Sequence, residues 1–228
     1  MQPIQAKYVY KIDGGVDMFT KKIVALILTI SLLATSVCAV ADGGWSVKTT
    51  VSAMSIDKQA RHALTKAMKE YAGYVLKPLA LLGTQVVAGT NYCFLCYGST
   101  VTQSPTHSLC KAYVYEGLDG KARITGIEEI ALKGEPSSGW KLSNSKTAVK
   151  VERRAVSALK QATTKLVGAK YKPLLVLGRA RNNKDGYCLL CSCKKSDKGG
   201  STGLCVVILR KTKGKYVLRR VDDLIVAN

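Results

Sequence analysis

The chain matches itself at an offset of 95 residues, and this repeat limits its possible folds more than any other feature. Trp45 meets Trp140, Ala63-Leu64 meets Ala158-Leu159, Gly73 meets Gly168, Lys77-Pro78 meets Lys172-Pro173 and Gly83 meets Gly178. Tyr92-Cys93 meets Tyr187-Cys188, Cys96 meets Cys191 and Cys110 meets Cys205. No gap is needed until the last turn, where Gly120-Lys121 meets Gly214-Lys215 after a one-residue slip. The two copies span 42–135 and 136–228, and the stretch 133–139 (Lys-Gly-Glu-Pro-Ser-Ser-Gly) has linker composition. Each copy is long enough for a small core of its own.

Each copy opens with a Trp and a short polar or β-prone stretch, then turns helical. In the first copy Ile56, Ala60, Ala63, Leu64, Ala67, Met68 and Tyr71 fall on one helix face, with Ser55 as N-cap and Gly73 as C′. In the second, Val151, Ala155, Ala158, Leu159, Ala162 and Leu166 repeat that face, and Gly168 repeats the stop. After each helix the period changes to two, predicting strands near 76–87, 91–98, 109–116 and 121–130 in the first copy. Helix followed by antiparallel strands reads as α+β, one helix packed across one four- to five-stranded antiparallel sheet in each copy.

Residues 1–41 read as processing signals. Lys21-Lys22, the apolar run 23–33 and Ala39-Val40-Ala41 have the order of a secretory signal peptide cleaved after Ala41. The apolar run is too short for a spanning helix of about 20 residues. A lipoprotein anchor on Cys38 is the rival reading, and Val37 is a poor residue before it. Gly14-Gly15-Val16 is what GGAGGTG-like codons encode, the pattern of a bacterial ribosome-binding site before a start at Met18. On that reading 1–17 is translated leader, 18–41 is the signal peptide, and the product is secreted, periplasmic or surface-bound.

Charge separates the copies. The whole chain has 35 Lys plus Arg against 15 Asp plus Glu. The first copy has 10 and 8, a net of +2; the second has 21 and 5, a net of +16. Segregation to one copy points to an anionic partner and salt-sensitive binding. The anion-binding candidates are Arg179, Arg181, Lys184, Lys194, Lys195, Arg219 and Arg220. No zinc finger, RRM or helix-turn-helix pattern favours a specific nucleic acid. An envelope polymer or lipid is the anionic partner expected outside a bacterial cell.

Between the first two long strands lies Gln85-Val86-Val87-Ala88-Gly89, followed by Thr90-Asn91-Tyr92. This Gln-x-Val-x-Gly run, after a Gly pair (Gly43-Gly44) and one long helix, resembles the cystatins, and most of all their disulfide-free branch, the stefins. A second turn, Leu118-Asp119-Gly120, stands where stefins carry Leu-Pro-Gly, with Asp119 for the Pro. The resemblance covers residues 43–131. It implies two tandem cystatin-like domains, the second degenerate, each a sheet wrapped on a helix. It also implies reversible inhibition of papain-like cysteine proteases by a wedge. Gly43, Gly44, Gln85, Val86, Val87, Ala88, Gly89, Leu118 and Gly120 would form that wedge, without cofactor or metal. The competing local reading is that Val86 and Val87 simply continue a strand. Gly43-Gly44-Trp45 is likewise either an arm or the entry to a first strand, since Ser138-Gly139-Trp140 matches it. In the second copy the wedge positions are Ala180-Arg181-Asn182-Asn183-Lys184, which reads as a polar hairpin connection.

Seven cysteines follow residue 41: Cys93, Cys96, Cys110, Cys188, Cys191, Cys193 and Cys205. Zinc binding and thiol redox chemistry fit poorly, because the Cys-x-x-Cys pairs lie on strands and only two His are present. Residues i and i+3 of a strand face opposite ways, so Cys93 and Cys96 are not partners. The stefin-like register implies cross-strand disulfides Cys96–Cys110 and Cys191–Cys205. Cys93 and Cys188 would then face outward and could link the copies, and Cys193 is left over. Free thiols in a reducing habitat are the alternative. Neither His62 nor His107 has an acid and nucleophile context, so the chain does not read as an enzyme. The expected activity is protease inhibition; the alternative is a non-inhibitory binding module for an anionic envelope component.

Overall fold

The computed structural model describes residues 43–130, 139–143, 151–181, 186–196 and 200–226. The leader, the signal peptide, its cleavage site, Cys38 and most of the linker lie outside them. So do Lys184 and most of the second copy's hairpin connection.

The first copy builds β1 (Ser46–Val47), α1 (Lys58–Lys69), β2 (Tyr74–Val87), β3 (Gly89–Thr100), β4 (His107–Gly117) and β5 (Ala122–Glu129). The second builds β6 (Trp140–Leu142), α2 (Arg153–Thr163), β7 (Ala169–Ala180), β8 (Gly186–Lys195), β9 (Thr202–Thr212) and β10 (Lys215–Val226). Each set of five strands is one antiparallel sheet, ordered β1-β2-β3-β4-β5 and β10-β9-β8-β7-β6. The repeat extends to irregularities. The β2–β3 register shifts between Pro78 and Ala80 and between Leu81 and Gly83; β7–β8 shifts between Pro173 and Leu175 and between Val176 and Gly178.

These bulges and the apolar runs explain the largest core. Leu79 to Gly83, Tyr92 to Cys96, Leu174 to Gly178, Gly186 to Cys191 and Gly203 to Leu209 are buried on both faces of their sheets. One face of each sheet packs on the other sheet. Leu79, Leu82, Leu95 and Leu109 share a cluster with Leu177, Leu190, Val206 and Ile208, all nearly inaccessible. Lys111 Nζ donates to Leu224 O across this junction at 3.3 Å. A Cβ on Gly83 would lie 3.2 Å from Ile225 Cδ1, so the sheets approach closely there.

This corrects the α+β expectation of one helix packed across each sheet, and with it the pair of cystatin-like domains drawn on that plan. Strands hold 58% of the described residues and the two helices are short, 12 and 11 residues. The organising contact is sheet on sheet. The helices add small-residue faces to the outer surfaces: Ala60, Ala63, Leu64 and Ala67 beside Phe94, Cys96 and Val114, and Ala155, Ala158 and Leu159 beside Leu189, Val207 and Leu209. The helix ends also differ from expectation. Asp57, not Ser55, caps α1, accepting from Ala60 N at 2.8 Å, while Ser55 N donates to Ser52 O in the preceding turn. Glu70 closes the helix, and Gly73 (φ 86°) turns the chain into β2 instead. Tyr71 and Leu166 are exposed.

The cysteines follow the faces. Cys93 and Cys188 lie in the core between the sheets, so the expectation that they face outward is replaced by burial against the other copy. Cys96 sits opposite Cys110 in the β3–β4 register, and Cys191 opposite Cys205 in β8–β9, both on the helix sides. All seven described cysteines are thiols, and burial raises every one of their pKa values.

Candidate functional site

The three segments singled out in the first copy meet at one end of its sheet. β1 pairs with the far end of β2, Ser46 opposite Thr84, and that register sets Gly44 level with Val86. β2 and β3 close with Val87 opposite Gly89 and Ala88 at the tip. β3 then pairs with β4 through Gly89 and Gly117, so the Leu118-Asp119-Gly120 turn stands beside the Ala88 tip. The sheet order therefore lines up arm, first tip and second tip along one edge.

Each tip is held by its own chemistry. Gly89 has φ 129°, and a Cβ there would lie 2.4 Å from Glu116 O, so only glycine fits. Tyr115 Oη donates to Ala88 O, and the Arg123 guanidinium lies 4.9 Å from the Tyr115 ring centre. Gln85 Oε1 accepts from Asn91 Nδ2 at 2.9 Å, so its side chain is tied to the neighbouring strand. In the second turn Gly117 N donates to Lys121 O and Gly120 N to Gly117 O, both at 2.9 Å, with Gly120 at φ 72°. Lys66 Nζ donates to Gly120 O at 2.9 Å, fastening the turn to α1. The Lys121 backbone N–H holds the exposed Asp119 carboxyl below its usual pKa.

Val86 and Val87 are the last two residues of β2, so the strand reading of them holds. Their position is nonetheless exposed: Val86 is 70% accessible and Leu118 87%, while Val87 is half-buried. Two large apolar side chains thus project from adjacent, hydrogen-bonded tips, an arrangement suited to entering a groove.

Tyr115 is the residue of this edge that sequence reasoning missed. Its alternation with Tyr113 marked strand and nothing more. Tyr115→Phe removes the bond to Ala88 O, worth about 1 kcal/mol. We expect amide exchange at residues 87–89 to quicken about fivefold while the thermal midpoint barely moves. Hydrogen-exchange mass spectrometry reads both, and unchanged exchange would show that the tip does not depend on Tyr115.

The basic candidates of the second copy do not form one patch. Arg179 and Arg181 lie at the end of β7 that corresponds to the wedge edge. Lys194 and Lys195 lie at the opposite end, where β8 finishes, and Lys195 pairs with Asp223 at 3.0 Å. Arg219 and Arg220 are on β10, and Arg220 Nε pairs with Asp222 at 2.6 Å. Among the described residues no three His, Cys, Asp or Glu side chains converge as metal ligands would. No described helix is long and apolar enough to cross a membrane. No protein-family model matches the chain, and no curated protein matches it.

Proposed function

We propose that this edge of the first copy is a wedge that enters the active-site cleft of a papain-like cysteine protease and blocks it reversibly. One observation carries the reading: Gly43-Gly44, the Gln85-to-Gly89 tip and the Leu118-to-Gly120 turn lie in line, with Val86 and Leu118 as its exposed apolar points. The reading rests on this motif-bearing edge and not on any helix-across-sheet plan. Apolar area leaving water contributes about 25 cal/mol per Å². A tip already fixed by Gly89 and Tyr115 loses little freedom on docking. The wedge presents its side chains from paired strands, and its backbone is engaged in the sheet, so the protease nucleophile is offered no extended peptide to cut. An exported chain, as residues 18–41 suggest, would meet such proteases outside the cell.

Titration of papain with the purified protein tests this. Val86→Asp places a charge in an apolar groove and should weaken inhibition about thirtyfold, the size of a ~2 kcal/mol hot spot. The substitution is exposed, so stability should change by no more than about 0.5 kcal/mol. Absence of inhibition at micromolar protein, or equal inhibition by Val86→Asp, would end the proposal.

A further inference from the structure

We propose that the second copy has turned the corresponding corner into a binding site for a ligand bearing two or more clustered phosphate groups. A cleft of about 970 Å³ opens between the start of α2, the end of β7, the start of β8 and the β9–β10 hairpin. Five cations line it: Arg153 and Arg154 from the helix, Arg179 from β7, Arg181 just after it, and Lys211 from β9. Tyr187 and Tyr216 supply aromatic wall. The volume suits a ligand the size of a small organic molecule, for which clefts run to about 1,000 Å³.

The one carboxylate among the described lining residues does not cancel this charge. Glu152 pairs with Arg179 at 3.1 Å and accepts from Tyr187 Oη at 3.3 Å, so it is already engaged. Arg153 and Arg154 are exposed at its rim and engage no acceptor among the described residues. The positive end of the α2 dipole adds to the same field. Like charges gathered around a concavity repel one another, and an anion bound between them relieves that repulsion. Guanidinium forks match phosphate oxygens two at a time, which favours phosphate over a single carboxylate.

The first copy provides the internal comparison. At its equivalent positions it carries Lys58, Gln59, Thr84, Val86 and Glu116, one cation and one anion. The cations are therefore not demanded by the fold, since the same framework stands with a near-neutral corner. They are also placed where the first copy carries its wedge, at the end of the sheet where the fold presents side chains outward. The two copies offer different chemistry from the same corner, and the inference does not depend on the wedge.

Calorimetric titration of the purified protein with inorganic tripolyphosphate, near physiological ionic strength, tests the site. The Arg153→Gln/Arg154→Gln pair should weaken binding about tenfold or more. Both residues are exposed, so the thermal midpoint should hold. The control is Lys170→Gln/Lys172→Gln, which removes the same charge from exposed positions at the far end of the same sheet and should leave affinity within about twofold. Sedimentation with phosphatidic-acid vesicles separates the sources. Vesicle binding that falls with the arginine pair assigns a headgroup or surface polymer, whereas tripolyphosphate binding without vesicle binding assigns a soluble phosphate ester. No binding of tripolyphosphate, or equal loss in the control, would overturn the proposal.

Discussion

Leu190→Asp is expected to unfold both copies in one step. Leu190 lies in β8, in the middle of the second sheet, wholly buried on the face turned toward the first sheet. The cluster around it draws Leu79, Leu82, Leu95 and Leu109 from the first copy. A carboxylate placed there has no cation in the cluster to pair with. It must either ionise in a medium that penalises charge or fold protonated, and both cost several kcal/mol. Truncation alone, as Leu190→Ala, costs about 2–5 kcal/mol. Set against a total stability of about 5–15 kcal/mol, the Asp variant falls at or below the threshold for folding. The first copy cannot stand by, because its β2, β3 and β4 would be left with a bare leucine face. The two tryptophans report this separately: Trp45 packs at the rim of the shared core from the first copy, and Trp140 is buried in it from the second. In the Trp45→Phe and Trp140→Phe backgrounds, denaturant titration of Leu190→Asp should show both signals lost together. A Trp45 transition that survives the loss of Trp140 would mean that the sheets fold independently.

The same packing explains which parts of the architecture were readable from residues alone. The repeat and the strand positions follow from local periodicity and hairpin connection, which act within one copy, whereas the line-up of Gly43-Gly44 with the two tips is implied by the family resemblance alone. The burial of one copy on the other is a long-range fact. Its trace was present, because Leu79-Ala80-Leu81-Leu82 and Leu174-Leu175-Val176-Leu177 do not alternate. A sheet with one wet face alternates; one covered on both faces does not. Reading these runs as period two left their second face with no partner, so Cys93 and Cys188 were turned outward when both belong to the inner face. The cationic cleft was partly hidden for another reason. Arg179 and Arg181 stood out by position, but Arg153 and Arg154 look like the solvated side of a helix. Lys211 looks like an ordinary hairpin charge, and only the antiparallel return of β9 brings it beside them.

Raising the pH under reducing conditions should destabilise the protein steeply, and the thiols of the shared core set the direction. Burial pushes Cys93 and Cys188 from the ordinary 9.0 up to about 12; each lies fully out of water between the sheets. In the unfolded chain these thiols ionise near their ordinary value, while in the folded protein they stay protonated. Between pH 9 and about 12 the unfolded state therefore binds fewer protons, and stability falls as pH rises. The contribution is fully present below pH 9 and is lost as pH climbs through the folded values. Each thiol costs about 1.4 kcal/mol per pH unit in that window, so the pair removes about 3 kcal/mol by pH 10. Tyr92 and Tyr187, both raised to about 12 chiefly by desolvation, push the same way above pH 10. Urea midpoints in reductant at pH 8 and pH 10 read the effect. The Cys93→Ala/Cys188→Ala variant should start lower, because two cavities are left, yet lose less between the two pH values. A midpoint that stays level in the unsubstituted protein would mean that these sulfurs do not titrate on unfolding. A covalent link between them would do that, as would entry of water between the sheets, and thiol alkylation with mass measurement distinguishes the two.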